Sequence, residues 1–593
     1  MEKNTVIAVA LSSLVLVGFM FFQTVFFPSA APPPETAAAS VQSSGLDNIA
    51  AEETSLGTEL SELIVDEGEA PGESTYIITT GKVRVIFTNR GGDVIHYELL
   101  DHREGDAGIE MADGIAPDNR AFALSLGGMR NGVSQYAVLN DLFSVARPDN
   151  TTIVFSKQFS VKNSAGTSQS FTLTKRYTFA PDDYMFKLDV GITGNAAFSL
   201  GGSAYTLRTS PQIGPRLNPQ DKYDRRTFMA YNGQKKKTEV LKAGNTKERI
   251  DPYTWTGVGG KYFTLLVAPV PEVATQGVTY SAVTDINGLA GTQLFLPRAA
   301  TSGGTVTDTY YVYIGPLTES TLKIYNNGPE NPWALTGLHL NESLTSSGIL
   351  SPLEAALKWC MEILNKVIHN WGVSIIILTL LIKALLFPLT QKSSMASLKM
   401  QEIQPKVQEI QAKYKSDPNK LQSEQMKFYK EAGVSPMSGC LPLLIQFPII
   451  IAMYNLFNNY FEFRGALFIP GWIPDLSVGD RVFTFGFNIP FLGDTLRLLP
   501  IIYVASQLLS GKLTQTGGAS NTQMKVMMYG MPLFFFFIFY NAPSGLLIYW
   551  TTSNILQLFQ QLAINKVMKK KKEELAAKQA SQVPVFVPRK KKK

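Results

Sequence analysis

The segment Gly372–Thr390, GVSIIILTLLIKALLFPLT, is apolar over a length that suits a bilayer core of about 30 Å, yet it carries Lys383 in its interior. At 1.5 Å of rise per residue, Lys383 lies roughly 10 Å or more from either end of the run. An ammonium at such depth costs at least about 2.5–3.5 kcal/mol. Snorkelling would have to cover most of the remaining distance. A buried cation normally pairs with a carboxylate, but no Asp or Glu occurs in 6–27, 372–401, 432–461 or 495–572. The nearest acids, Glu402, Glu431, Glu462 and Asp494, flank these stretches. Water, hydroxyls, lipid phosphate or a visiting carboxylate must solvate Lys383 if it lines a wet cavity. The alternative is a structural lysine bonded to Thr, Ser, Asn and backbone carbonyls.

Five further apolar runs accompany this one, making six candidate spans: an N-terminal anchor within 1–27, then 371–391, 436–460, 496–511, 526–541 and 543–565. Val6–Phe27 is longer than the roughly 7–15 residues of a signal-peptide core, which favours a retained anchor, although Ser29-Ala30-Ala31 keeps cleavage open. Residues 28–75 read as a disordered linker, with ten acidic residues and no Lys or Arg. Loop charge then orients the chain. The segment 392–435 has eight Lys against five acids, whereas 461–495 has two Arg against four acids. The basic loop belongs on the cytoplasmic side and the acidic one outside. Both termini are then cytoplasmic, and the large middle region lies outside.

That middle region, 76–335, alternates polar and apolar residues in short stretches: 82–88, 94–100, 151–158, 170–179, 185–191, 262–267 and 305–314. Turn sequences such as Asn89-Arg90-Gly91-Gly92 separate them, the pattern of an all-β sandwich. It contains no nucleophile elbow, phosphate-cradling glycine loop or paired histidines. Four His and two Cys (Cys360, Cys440) are scattered without zinc-ligand spacing, so no metal, cofactor or small-molecule substrate is expected. Residues 351–370 place Leu353, Leu357, Cys360, Met361 and Leu364 near one helical face. They read as an amphipathic helix on the membrane surface, or as a packing helix under the β-domain. The segment 392–435 reads as a cytoplasmic helical hairpin broken at Asp417-Pro418-Asn419.

Polar residues recur inside the spans. Thr379 shares a helical face with Lys383. Thr551, Asn554, Gln557, Gln560 and Gln561 follow 3–4 spacing in the last span, and Gln446, Asn455, Ser506 and Gln507 add others. Each alone suits helix–helix contact; together they describe a groove that is wet toward the cytoplasm. The tail 566–593 carries eleven basic residues against two acids, in a chain of net charge +6. Lys569, Lys570, Lys571, Lys572, Arg589 and Lys590 are candidate contacts for ribosomal RNA or anionic lipid.

NWGVSIIILTLLIKALLFPLT, LKMQEIQPKVQEIQAKY, GVSPMSGCLPLLIQFPIIIAMY and NAPSGLLIYWTTSNILQLFQQ, in this order, closely resemble the YidC-type insertases of the YidC/Oxa family. The β-patterned region after the first span resembles the Gram-negative form, whose large domain is periplasmic. The resemblance implies a non-enzymatic inner-membrane insertase and chaperone. It would receive nascent membrane proteins from the ribosome, alone or with the Sec translocon. It also implies a five-helix core around a hydrophilic groove closed to the periplasm. The family's groove arginine corresponds to Lys383, and its substrate-contacting Thr and Tyr correspond to Thr379 and Trp550. The two departures remove a bidentate fork and a hydroxyl. The expected groove residues are therefore Lys383, Thr379, Gln446, Ser506, Trp550, Asn554 and Gln557. A membrane-anchored envelope-biogenesis protein acting through its β-domain is the alternative. A secondary transporter would need intramembrane carboxylates, which the spans lack.

Overall fold

In the computed structural model the alternating stretches become antiparallel strands around one hydrophobic core. The structure describes residues 62–65 and 72–581, apart from 105–106, 113–119, 127–128, 131–132, 135–137, 163–167, 195–198, 210–224, 285–289, 303, 345–349, 434–440, 490–491 and 515–521. The N-terminal anchor, most of the linker and the end of the basic tail, with Arg589 and Lys590, lie outside the described residues.

The largest sheet runs in the order Glu62–Val65, Thr152–Lys162, Ser168–Phe179, Met185–Gly194, Thr305–Pro316, Phe263–Pro269, Trp255–Gly259, Thr227–Tyr231, Lys236–Glu239. A second sheet contains Thr246–Arg249, Val278–Thr284, Ala290–Ser302, Ser199–Arg208 and Ala123–Ser125. A third contains Thr75–Thr79, Val83–Thr88, Asp93–Glu104 and Ala107–Glu110. Glu62–Val65 corrects the linker reading: its Glu-Leu-Ile-Val run pairs with Phe159–Lys162, because an existing strand edge supplies the partners that the segment lacks alone.

Alternation places Phe171, Leu173, Lys175, Tyr177 and Phe179 on the buried face of one strand. Register thus forces a lysine into the core, and the fold must neutralise it. Lys175 pairs with Asp93 and donates to the carbonyls of Gly91 (3.1 Å) and Phe122 (2.8 Å). Arg120 Nε donates to the same carboxylate at 2.9 Å, and its Nη2 to Asn140 Oδ1 at 2.8 Å. The turn Asn89–Gly92 delivers these groups, with Gly91 and Gly92 both in the left-handed region at φ 68° and 62°. A side chain on Gly92 would also strike Phe155. The cluster joins the third sheet to the first.

Among the described residues seven long helices follow: α1 (Ser351–Ile368), α2 (Trp371–Lys413), α3 (Pro418–Glu431), α4 (Leu441–Asn459), α5 (Leu499–Thr514), α6 (Thr522–Phe539) and α7 (Ser544–Ser581). Helix α1 buries Leu357 and Met361 and exposes Trp359, Ile363 and Val367. His369, at φ 57°, ends it, and the Asn370 side chain caps α2 by accepting from Val373 N. Helix α2 is continuous for 43 residues, through the expected boundary at 391 and through Pro388 and Pro405. Helix α7 likewise continues past 565. The membrane edge is a change of composition there, not of backbone. The chain turns at Asp417, whose carboxylate accepts from Lys420 N, with Pro418 at the first helical position. Among the described residues Trp371–Gln391, of mean hydropathy 2.3, is long and apolar enough to cross a bilayer, and Tyr529–Phe539 is a shorter apolar stretch.

The helices and the β-domain meet just beyond α4. Phe461 lies edge-on to His102, Phe263 and Tyr262, with centroids 5.1, 5.6 and 6.1 Å apart. Arg464 donates to the Arg103 carbonyl at 3.1 Å and covers the Phe263 ring. His102 Nε2 lies 3.0 Å from the Tyr184 hydroxyl, which donates to Asp101.

Two outcomes follow from these contacts. Asp93→Ala strands two buried cations and should destabilise the segment 72–344 by about 3–5 kcal/mol in urea denaturation, more than Lys175→Met, which leaves Arg120 to pair with Asp93. Burial holds the His102 imidazole below its ordinary 6.5; Asp101 opposes this, while Arg464 and Lys82 add to it. The neutral form is favoured in the folded state, so this contribution is complete above about pH 6.5 and is lost as pH falls from there toward the lowered folded-state value. Thermal unfolding at pH 7.5 and 5.5, as nominal settings of about two units apart, should show a smaller pH difference in His102→Gln than in the parent chain.

Candidate functional site: a polar layer between the membrane helices

Helix α7 packs against both α2 and α5, and α6 packs on α5. The relation between α2 and α7 is fixed by two contacts. Gln560 Nε2 donates to Thr390 Oγ1 at 2.8 Å, across 170 positions of sequence. Gly545 faces Ile375 and Phe457 with the same sequence offset from Ile375. A constant offset means that the two helices run parallel and in step. Lys383 is then level with Ser553 and Asn554, and Thr379 with Tyr549.

The layer at that level is polar. Asn554 Nδ2 donates to Ser506 Oγ at 3.1 Å, linking α7 to α5. Ser506 in turn donates to the Tyr503 carbonyl at 2.6 Å. Ser553 is buried, and the nearby Thr551 hydroxyl is buried without a hydrogen-bond partner among the described residues. Thr379 is also buried, donating to the Ile375 carbonyl at 2.7 Å. Thr379, Lys383 and Thr390 are spaced by four and seven residues, so Lys383 lies on the helical stripe that Thr390 turns toward α7. Lys383 is half-buried. Among the described residues it has no ion-pair or hydrogen-bond partner.

One turn nearer the start of α7 the site becomes aromatic. Trp550 lies 4.5 Å from Phe539 and 5.7 Å from Tyr503, centroid to centroid. The Tyr503 hydroxyl accepts from Gln507 Nε2 at 3.2 Å. Tyr503 is the residue that the sequence reading missed; its position one turn before Ser506 and Gln507 was the available signal. Where Trp550 offers no hydroxyl, the neighbouring Tyr503 carries one.

The expected groove residues divide. Lys383, Ser506 and Asn554 share one layer, with Thr379 and Trp550 a turn away. Gln446 is half-buried on α4, and Gln557 is exposed on α7; neither has a partner among the described residues. Asn455 belongs elsewhere. Its amide donates to Glu354 of α1 at 2.9 Å, and Tyr460 donates to Glu362 of α1 at 3.0 Å. These bonds dock the amphipathic helix on α4. Lys569, Lys570, Lys571 and Lys572 continue α7 beyond its apolar part. The membrane-facing surfaces are apolar: Leu381, Leu385 and Phe387 on α2, Leu533 and Phe537 on α6, and Ile555 and Phe559 on α7 are all exposed. The arrangement supplies a cation, hydroxyls and amides beside apolar walls. It can attract and solvate a carboxylate or a polar peptide segment.

Comparison with known proteins accounts for both halves of the chain. The family described as YidC periplasmic domain matches residues 75–340, and the family described as 60Kd inner membrane protein matches residues 363–572. Membrane protein insertase YidC of Treponema denticola is 48% identical, over 96% of this chain and all of that protein. The Treponema pallidum insertase is 41% identical and that of Pelobacter propionicus 27%, each with 96% of this chain and all of the relative covered. This chain belongs to the YidC family of membrane protein insertases.

Proposed function

We propose that this inner-membrane insertase works by lending a hydrated cation, Lys383, to polar segments of nascent membrane proteins while their apolar helices move into lipid. The observation that carries the reading is the Lys383–Ser553–Asn554–Ser506 layer, polar and without a carboxylate. A short hydrophilic segment of substrate enters from the cytoplasm and is drawn to Lys383. The polar layer shortens the low-dielectric path that this segment crosses. The substrate helix then slides into lipid along α4 and α7, driven by burial worth about 0.8 kcal/mol per CH₂. Neither a nucleotide nor a covalent intermediate takes part.

The finer arrangement belongs to the same reading. Six spans place both termini in the cytoplasm and the β-sandwich in the periplasm, in accord with loop charge. The hairpin of α3 with the end of α2, and the Lys-rich end of α7, hold the ribosome or anionic lipid. The phospholipid bilayer closes the open side of the groove, and the Sec translocon shares those substrates whose large outer domains need a channel.

Lys383→Glu should abolish insertion of substrates with acidic translocated tails, whereas Lys383→Arg should preserve it. Protease protection of such a substrate, translated in the presence of reconstituted vesicles, reads this directly. Full protection with the Glu variant would refute the electrostatic step. Photocrosslinkers at position 379 or 550 should capture the substrate during translation, and removal of 76–315 should leave most insertion intact. Asn554→Leu and Ser506→Ala should be non-additive, coupled by about 0.6 kcal/mol and at most about 1.7, in thermal denaturation of the detergent-solubilised protein.

A further inference from the structure

The connection between α4 and α5 contains a β-hairpin, Phe483–Ile489 against Gly493–Leu496. Its first strand reads FTFGFNI, so Phe483, Phe485 and Phe487 share one face. Their rings form a ladder with centroid separations of 5.4 and 5.6 Å. Phe483 is 58% and Phe487 66% exposed, and Val482 beside them is exposed as well. A two-stranded hairpin is marginal in water by itself, and one that turns its aromatic face outward has no core of its own.

The base of the hairpin is nevertheless held firmly. Asp480 Oδ2 accepts from Leu498 N at 2.7 Å, Leu499 N at 3.1 Å and Trp472 Nε1 at 2.8 Å. Arg497 donates to the Asp480 carbonyl at 2.9 Å and to Asn541 Oδ1, between α6 and α7, at 3.0 Å. Tyr540 donates to the Thr495 carbonyl at 3.0 Å. Only Arg497 and Leu498 separate the second strand from α5. The hairpin is therefore fixed at the outer ends of three membrane helices.

Its exposed apolar residues also continue onto α5. Phe483 pairs with Leu496, and exposed Leu498, just before α5, and Ile501, in its first turn, follow. The hairpin face is thus an extension of a lipid-facing flank. Aromatic side chains at that depth suit the boundary between headgroups and acyl chains. Arg481, exposed at the start of the hairpin and donating to Thr484 Oγ1 at 2.9 Å, supplies a cation close to the ladder that an anionic headgroup could meet.

We propose that the Phe483–Phe485–Phe487 ladder dips into the outer leaflet of the bilayer, with phospholipid as its occupant. The hairpin anchors the leaflet at the periplasmic ends of α5, α6 and α7. The proposal rests on the topology given above, in which residues 461–495 are outside.

The test uses the full chain with Cys360→Ser and Cys440→Ser, carrying an environment-sensitive nitrobenzoxadiazole label on Phe487→Cys or, on the opposite face, on Thr484→Cys. In vesicles of phosphatidylethanolamine and phosphatidylglycerol, iodide should quench the label at 487 several-fold less than that at 484. Lipids bearing an acyl-chain nitroxide should quench 487 preferentially. Equal iodide quenching at both sites without nitroxide quenching overturns the proposal. So does shielding of 487 that appears only when purified translocon is added, which would make the ladder a protein-docking surface. Labelling of Thr484→Cys in spheroplasts by an impermeant maleimide reports the side of the membrane separately; labelling is expected, and its failure would overturn the topology together with the outer-leaflet assignment.

Discussion

The constraint on which the membrane half depends is the hydration of one ammonium at the centre of an apolar helix. Lys383 has no acid anywhere in the apolar stretches of its own chain to pair with. The helices around it must therefore leave it access to water and to neutral polar groups. The parallel, in-step packing of α2 and α7 brings Ser553 and Asn554 to its level, and the Asn554–Ser506 bond extends the polar layer to α5. Dry packing of the same helices would leave the charge without any solvation.

The chain contains its own reference for what a structural buried lysine looks like. Lys175 is fully buried in the β-domain, and every direction around it is answered: Asp93 supplies the charge, two carbonyls supply acceptors, and Arg120 shares the carboxylate. That cluster locks two sheets together and leaves nothing for a visitor. Lys383 is half-buried and, among the described residues, has none of these partners. The contrast sets a lysine that holds a fold apart from one without such partners, and it weighs against the reading in which Lys383 merely bonds to neighbouring hydroxyls and carbonyls.

Much of this was legible in the sequence because period and charge are local properties. The strands 170–179 and 305–314 announced themselves by alternation, and the break at Asp417-Pro418 by capping chemistry. The strands Ser199–Arg208 and Trp255–Gly259 did not, since the glycines in LGGSA and WTGVG interrupt the alternation, and only neighbouring strands supply their hydrogen bonds. Glu62–Val65 was hidden in an acidic segment for the same reason. In the site, Lys383, Thr379, Ser506, Asn554 and Trp550 stood out as polar or departing residues within apolar runs. Tyr503 did not stand out. Asn455 looked like a groove residue because its partner, Glu354, is 101 positions away and belongs to another helix. Composition shows that a polar group must be satisfied; it does not show by whom.

The identity of the cation bears on how a substrate leaves. A translocating carboxylate is disfavoured in the bilayer by about 2.5–3.5 kcal/mol on the insertion scale, so the groove has to lower that barrier without becoming a trap. Arginine grips a carboxylate through two parallel donors in a fixed plane, whereas lysine presents a compact, strongly hydrated point charge on a flexible stem. In the proposed mechanism, lysine at 383 makes the encounter less directional, and water competes for the same ammonium. The neutral layer of Ser506, Ser553 and Asn554 adds acceptors and donors to solvate a passing peptide, but no second fixed charge to hold it. Trp550 and Tyr503 place aromatic surface one turn away, toward the start of α7. Attraction is thus brief and local, while apolar transfer into lipid grows with every methylene that the substrate helix buries. In the proposed mechanism, a compact cation beside a long apolar path makes release the favoured direction.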